Sequence, residues 1–576
     1  MRKTPFISGR IVALFVVSSL SFYGKAADYF WVGGSGNWSD VSHHWATSSG
    51  GATFYERVPA SIDNVIFDAN SFTASNQTVT FDFTDLYLGN MSWKDVTHLP
   101  TFTGGGENSV LSISGSLILS KNMNFNFIGL AMFTAWQPGQ ILDPAGKLFA
   151  RDVVFEGDGG WLLEGDLNVG WDLYLKKGSL NTNGKSVTAG SFWSNDGAAS
   201  RSLTLGSSVF TLTKENFGNW QVASDYMTFN AGNSIINIQG YGPAFNGGGF
   251  TYHSLNFTTP QTSQTPMINA SFDGPVTFAG IGRAQDCTFK DTVTFADISN
   301  GVHPDIVHCI FYKSVVLPRA GSIGAGSVVH GNVTVGWSGG VGGGSADNPT
   351  TIDGKTTIWG DAYVNGLITF KDNVTVGGYA FIQGPATFQD TLVLKGNADI
   401  YSGNSFNHLK LAPGFTYMFE SGSVSTFAGS LIALGTGSFP IRIKANTSGK
   451  PASLVKTSGT VCLDFVWLSD ISASGGALFN AGKAPEHSLD MGGNAGWSFN
   501  SACPLAVQVN KWTGAVSTAW ENPQNWSLDV VPDANTDVVI ENGIIEVRSS
   551  ALCKTLTNSV GVNVIIKTGG KLTIKQ

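Results

Sequence analysis

The feature that most restricts what this chain can fold into is an internal repeat. Seven consecutive copies align on Val276, Val293, Val315, Val333, Thr356, Val374 and Leu392, at intervals of 17, 22, 18, 23, 18 and 18 residues. Four positions before these anchors stand Phe272, Phe289, Phe311, Val329, Ile352, Phe370 and Phe388; two after them stand Phe278, Phe295, Leu317, Val335, Ile358, Val376 and Leu394. Both columns are wholly apolar. Between the first column and the anchor lie DGP, KDT, YKS, HGN, DGK, KDN and QDT, triplets rich in residues that turn a chain. Each unit therefore reads as a short strand, a tight bend and a second short strand with side chains alternating in and out.

Such a unit cannot bury its apolar face alone, whereas stacking copies gives every strand parallel partners above and below. The expected fold is all-β, a right-handed parallel β-helix (solenoid), its hand set by the crossover rule for parallel strands. The reading places turns of about 19 residues over 121–505. It places β-rich modules on either side, at 27–120 and 506–576. Intervals of variable length imply loops at one corner, the clearest being GWSGGVGGGSADNP at 336–349.

Two cysteines fall inside the repeat, in QDCTFKDTVTF and HCIFYKSVVL. Cys287 and Cys309 share a column with Ala270, Ser327, Thr350, Ile368 and Ala386, six positions before the anchor and on the inward side. The column asks for a small or apolar residue, so buried packing is the first reading and a disulfide between adjacent turns the second. Parallel Cβ vectors would strain that bond. No histidine recurs at a fixed relation to these thiols, which argues against a catalytic cysteine.

The N-terminus carries Arg2, Lys3 and Arg10, then an apolar run from Ile11 to Phe22, then Gly24-Lys25-Ala26. This is expected to be a secretory signal peptide, 1–26, whose apolar run is too short to span a bilayer. Its removal leaves 29 basic against 41 acidic residues, a net charge of −12. That balance argues against nucleic acid and anionic membranes as partners. An extracellular or cell-surface location is expected, with no transmembrane segment in the mature chain. Five scattered cysteines do not make a disulfide-dense scaffold.

The two ends share a signature. FWVGGSGNWSDVSHHW (30–45) is followed by VPASIDNVIF, and KWTGAVSTAWENPQNW (511–526) by VPDANTDVVI. Trp31, Trp38 and Trp45 correspond to Trp512, Trp520 and Trp526, Gly33 to Gly514, and Val65 to Val538, with an eight-residue insertion in the first copy. One module is used twice. These modules resemble those of large secreted surface proteins of Bacteroidetes-type bacteria, in which W…NW…VP…DxVxI segments flank β-helical repeats. The stretches 178–213 and 458–499 are similar to interior and closing turns of such repeats. The resemblance implies a location and an architecture, and brings no catalytic residues.

The six tryptophans admit two readings. Large rings can close the apolar end of a coil, with burial contributing about 25 cal/mol per Å². Alternatively, Trp31, Trp38, Trp45, Trp512, Trp520 and Trp526 are candidate carbohydrate-binding residues, because indole faces stack on sugar rings. Terminal units of solenoids need caps, so the first reading leads.

Chemistry is harder to find. Among nine histidines only His303 and His308, the latter beside Cys309, approach ligand spacing. On a strand His308 and Cys309 face opposite ways, so no metal site is expected. Metalloprotease, nucleophile-elbow and phosphate-loop signatures are absent, and no cofactor or catalytic residue is assigned. Acids recur at the bends, as in Asp273, Asp291, Asp353, Asp372 and Asp390, where bending the chain accounts for them. The expectation is an exported, non-catalytic β-solenoid serving as a surface, matrix or adhesion component, with other surface proteins or extracellular polysaccharide as partners. A polysaccharide-binding or polysaccharide-degrading β-helix protein is the alternative.

Overall fold

In-register stacking turns the apolar columns of the repeat into ladders. Phe272, Phe289, Phe311, Val329, Ile352, Phe370 and Phe388 pair in unbroken succession, as do Val276, Val293, Val315, Val333, Thr356, Val374 and Leu392. All pairings are parallel, and all fourteen side chains are buried. Like rings lie on like rings one strand spacing apart: Phe278 on Phe295 at 5.0 Å and 1°, Phe370 on Phe388 at 5.1 Å and 7°.

These ladders belong to a computed structural model that describes residues 26–195, 197–215, 219–240, 244–259, 265–280, 282–296, 304–500, 509–527, 531–534 and 536–575. The chain is 49% strand and 1% helix and forms a parallel β-solenoid of about 22 turns. The proposed signal segment up to Lys25, His303 and Cys503 lie outside the described residues.

The chain divides into two compact units, one reaching Asn237 and one starting at Ile238. In the first, a ten-stranded sheet runs from Met227–Asn230 back to Asp28–Trp31. Its pairings are parallel until the last, where Trp45–Ala46 folds back antiparallel on Asp28–Trp31. That fold-back closes the end of the sheet.

In the second unit each turn of the repeat holds three strands rather than the two read from sequence. One turn contains Ile368–Phe370, Val374–Val376 and Ala380–Gln383. The third strand adds its own buried column, Ile306, Ile323, Val341, Val364, Ile382 and Ile400, in parallel register. The glycine-rich segment expected to loop out is part of this face: Ser338–Gly344 is a seven-residue strand with a register shift between Gly342 and Gly344. Gly342 and Gly344 are required by close approach. A Cβ on Gly342, whose φ is +133°, would lie 1.9 Å from the carbonyl oxygen of Asn365 on the next turn.

Candidate functional site

All six tryptophans of the terminal modules are buried, from fully covered for Trp31, Trp38, Trp45 and Trp520 to 7% exposed for Trp512. Their faces and edges are taken by one another. Trp45 meets Trp31 at 4.9 Å and 82° and Trp38 at 4.7 Å and 63°. Trp526 meets Trp512 at 5.0 Å and 79° and Trp520 at 4.6 Å and 72°. The indole N–H of Trp45 donates to the Trp38 carbonyl at 2.7 Å, and that of Trp526 to the Trp520 carbonyl at 2.7 Å.

Cys287 and Cys309 occupy the inward column as free, buried thiols. Contact with the Cys309 thiol, together with burial, pushes the Cys287 thiol well above its ordinary pKa, the opposite of what a nucleophilic thiolate requires. The residues just before Cys287 and Cys309, and before Ala270 in the same column, break the alternation with left-handed backbone: Asp286, His308 and Asn269 have φ between +52° and +56°. The bend turns His308 outward, where its Nδ1 lies 3.3 Å from Asp286 Oδ1, while Cys309 stays inside. Among the described residues no group of three or more His, Cys, Asp or Glu could hold a metal ion.

The acids at the bends bind neighbouring backbone, a basic partner or, for Asp390, the Thr391 hydroxyl. Asp291 Oδ1 accepts the Thr292 amide at 2.7 Å and Asp372 Oδ1 the Asn373 amide at 2.6 Å. Asp353 sits between Lys371 at 2.8 Å and His330 at 2.6 Å, and the hydrogen bond from Lys371 leads in holding its carboxyl below the usual range. In the first unit, a groove of about 740 Å³ gathers Lys94, Lys121 and Lys185 with Asp143, Glu164 and Asp166. Asp143 and Asp166 each use one oxygen on a backbone amide, of Ala145 and Ser186.

A different set of rings is exposed. Trp337 is 75%, Trp359 66% and Tyr363 49% accessible. Register explains why they stand clear: Val335 pairs with Ile358 and Ile358 with Val376, so the next residues, Gly336, Trp359 and Gly377, form one corner column. In the column one residue further, Trp337 is followed on the next turn by Gly360. A Cβ on Gly360 would clash with the Trp337 carbonyl, and one on Gly377 with that of Trp359. On the following turn each indole thus meets a position that cannot carry a side chain, while the turn before Trp337 brings Arg319. On the adjoining strands Tyr363 pairs with Phe381, with ring centroids 6.4 Å apart, and Phe381 lies 5.4 Å from Tyr401. Tyr379 precedes Phe381 by two residues; burial, and then its hydrogen bond to Asp399, raise its hydroxyl pKa. Sequence reasoning missed this set, because an isolated aromatic in sequence cannot be told from a core residue until the register is known.

Residues 511–576 match a family described only as a domain of unknown function, DUF8693. No curated protein and no solved structure matches the chain.

Proposed function

We propose that the protein is an exported, non-catalytic β-solenoid that serves as a cell-surface, matrix or adhesion component of a Bacteroidetes-type bacterium. The observation that carries this reading is the use made of the recurrent acids. A polysaccharide lyase or hydrolase on such a coil needs carboxylates free to bind a cation or to transfer protons. Here Asp291 and Asp372 hold the amide of the next residue, and Asp353 is held by Lys371 and His330. Export is supported by the basic-then-apolar opening of the sequence and by the disulfide at Cys462, since such bonds persist in oxidising compartments. No helix among the described residues is long and apolar enough to cross a membrane.

A second reading is favoured by the groove lined by Lys121, Lys185, Glu164 and Asp166, since lysines and carboxylates in one groove are a residue set for proton abstraction from a uronate. Two measurements separate the readings. Protease treatment of intact producing cells should digest the protein while sparing cytoplasmic markers. Purified protein incubated with polygalacturonate, alginate and neutral glycans should release neither reducing ends nor unsaturated uronates. Protection from protease would overturn the surface assignment, and turnover lost on Lys121→Ala would establish the enzyme.

A further inference from the structure

Three exposed rings of the second unit, Trp337, Trp359 and Tyr363, and the half-buried rings of Tyr379, Phe381 and Tyr401 lie along one corner and the strand face that follows it, and their neighbours restrict what they can bind. Trp337, Trp359, Tyr363, Tyr379, Phe381 and Tyr401 fall on four successive turns, which at the ~4.8 Å strand spacing gives a run of roughly 14 Å. We propose that this face is a binding site for a neutral polysaccharide whose sugar rings lie against the aromatic faces. The proposal rests on the surface or adhesion reading and deepens it by naming a ligand class and its site.

Three observations select that ligand. First, a ring face carries negative charge density, which attracts the polarised C–H groups on one side of a pyranose; two strongly exposed indoles and a half-exposed phenol supply such faces. Second, the outward residues between the rings are hydrogen-bonding groups suited to hydroxyls. Asn365 and Gln383 are exposed, and Asp361 is exposed with its Oδ1 on the Tyr379 amide at 2.7 Å. Asp399 is half-buried beside Tyr379, whose hydroxyl it holds. Third, the strands that build the face, Ser338–Gly344, Asp361–Gly366, Ala380–Gln383 and Ala398–Tyr401, contain no lysine or arginine. On these strands an acidic polysaccharide would meet Asp361 and Asp399 with no cation between them; the cations nearest in register, Arg319 one turn before Trp337 and Lys395 one turn after Gly377, lie at the corner, so the strand face selects an uncharged ligand.

A protein partner fits less well. The outward positions of these strands are Ser338, Gly340, Asp361, Asn365, Gln383 and Asp399 besides the rings, with no aliphatic side chain to form the water-free centre of a protein interface. The glycines beside each indole also leave room for a ligand to reach the ring. Exposed aromatic area of this kind on a soluble face marks a binding surface.

The test is native affinity electrophoresis of the full-length exported protein in gels containing a soluble mixed-linkage β-glucan, a galactomannan, an arabinoxylan or polygalacturonate. At least one neutral polysaccharide should retard the protein, and polygalacturonate should not. The double variant Trp337→Ala/Trp359→Ala should lose roughly tenfold or more in affinity. Both indoles are exposed, so its melting temperature should match the parent's. Retention by no neutral polysaccharide, retention unchanged in the double variant, or preferential retention by polygalacturonate would each overturn the proposal. None of these results would move the protease-accessibility result, so the site and the surface assignment fail separately.

Discussion

The two tryptophan modules are the same device with different strands stacked behind it. In each, the first and last tryptophans pair antiparallel, Trp31 with Trp45 and Trp512 with Trp526. In each, the residue two before the first tryptophan pairs parallel with the shared valine, Tyr29 with Val65 and Asn510 with Val538. Even the buried indole N–H that lacks a partner is the same one, on Trp38 and on Trp520. The strands stacked behind the two copies differ. Behind the N-terminal copy, Phe67 stacks on Trp93 at 3.6 Å and Phe102 packs at 6.0 Å from Trp38, the beginning of a long sheet. Behind the C-terminal copy stand Val538, Ile540, Ile545, Val547, Ala551 and Cys553, and then the strands Thr555–Asn558, Asn563–Ile566 and Lys571–Ile574, none with a buried residue.

The module therefore closes an edge and an end, and the strands stacked behind it supply the rest of the core. The fold-back satisfies one edge and the indoles cover one end of the core. Behind the N-terminal copy the following strands bring buried apolar columns, whereas 555–575 contributes half-buried Leu556, Val562, Val564 and Leu572.

The largest expected effect comes from a lesion in neither module. Phe311→Asp places an unpaired charge in the stacked column between Phe289 and Val329, at a cost of several kcal/mol. Hydrogen exchange should accelerate in the turns on either side and stay unchanged at 27–67 and 509–575, because solenoid turns couple chiefly to their neighbours. Unchanged melting of the variant would contradict the buried column.

Next in size, Trp45→Ala and Trp526→Ala should each cost about 3 to 5 kcal/mol of local stability. The consequences should differ in reach. The first should loosen the opening turns and leave later ones protected; the second should release 509–575 as a whole, whose core holds nine buried residues. Equal loss of protection across the whole chain in both variants would break the idea of local caps.

The smallest effect sharpens the comparison by pH. Asp63 is fully buried against Arg57 at 2.6 Å, and the position matching it by the Val65–Val538 alignment is Thr536. Burial alone would raise its carboxyl, but hydrogen bonds from Arg57, Ala60 and Ala27 outweigh burial and hold it below 3.8. Its contribution is therefore complete above that ordinary value and is lost as pH falls through the depressed one. Acidification below pH 3.8 should raise exchange in the N-terminal module, and Asp63→Asn should flatten that dependence. An unchanged acid response in the variant would place the titrating group elsewhere.

Much of this fold was legible in sequence because stacking imposes the same demand on every turn. The columns at Phe289 and Val293 had to be apolar seven times over, and so showed themselves. The third face was also written there. Ile323, Val341, Val364, Ile382 and Ile400 each stand eight residues after an anchor. Its glycines hid it, since 338–344 has few side chains to signal a strand, and at Gly342 and Gly344 neighbouring backbone leaves no room for a Cβ atom. Arg201 was equally silent: a charge on an inward position reads as an error until its donors are seen on the carbonyls of Ala199, Ala223 and Asp225. The exposed rings needed parity, which only the register provides.

The buried columns and the exposed aromatic face both depend on the stacked register, which can be read directly in solution. Thr357 and Thr375, outward and 18 residues apart, are in-register neighbours on adjacent turns, whereas Thr357 and Asn365, only eight apart, lie on different strands of one turn. Pyrene-labelled Thr357→Cys/Thr375→Cys should give strong excimer emission, since the labels sit about one strand spacing, ~4.8 Å, apart. Thr357→Cys/Asn365→Cys should emit as monomer, and the buried thiols of Cys287, Cys309 and Cys553 should contribute little to either. Excimer from the pair close in sequence, and none from the pair close in register, would contradict the solenoid.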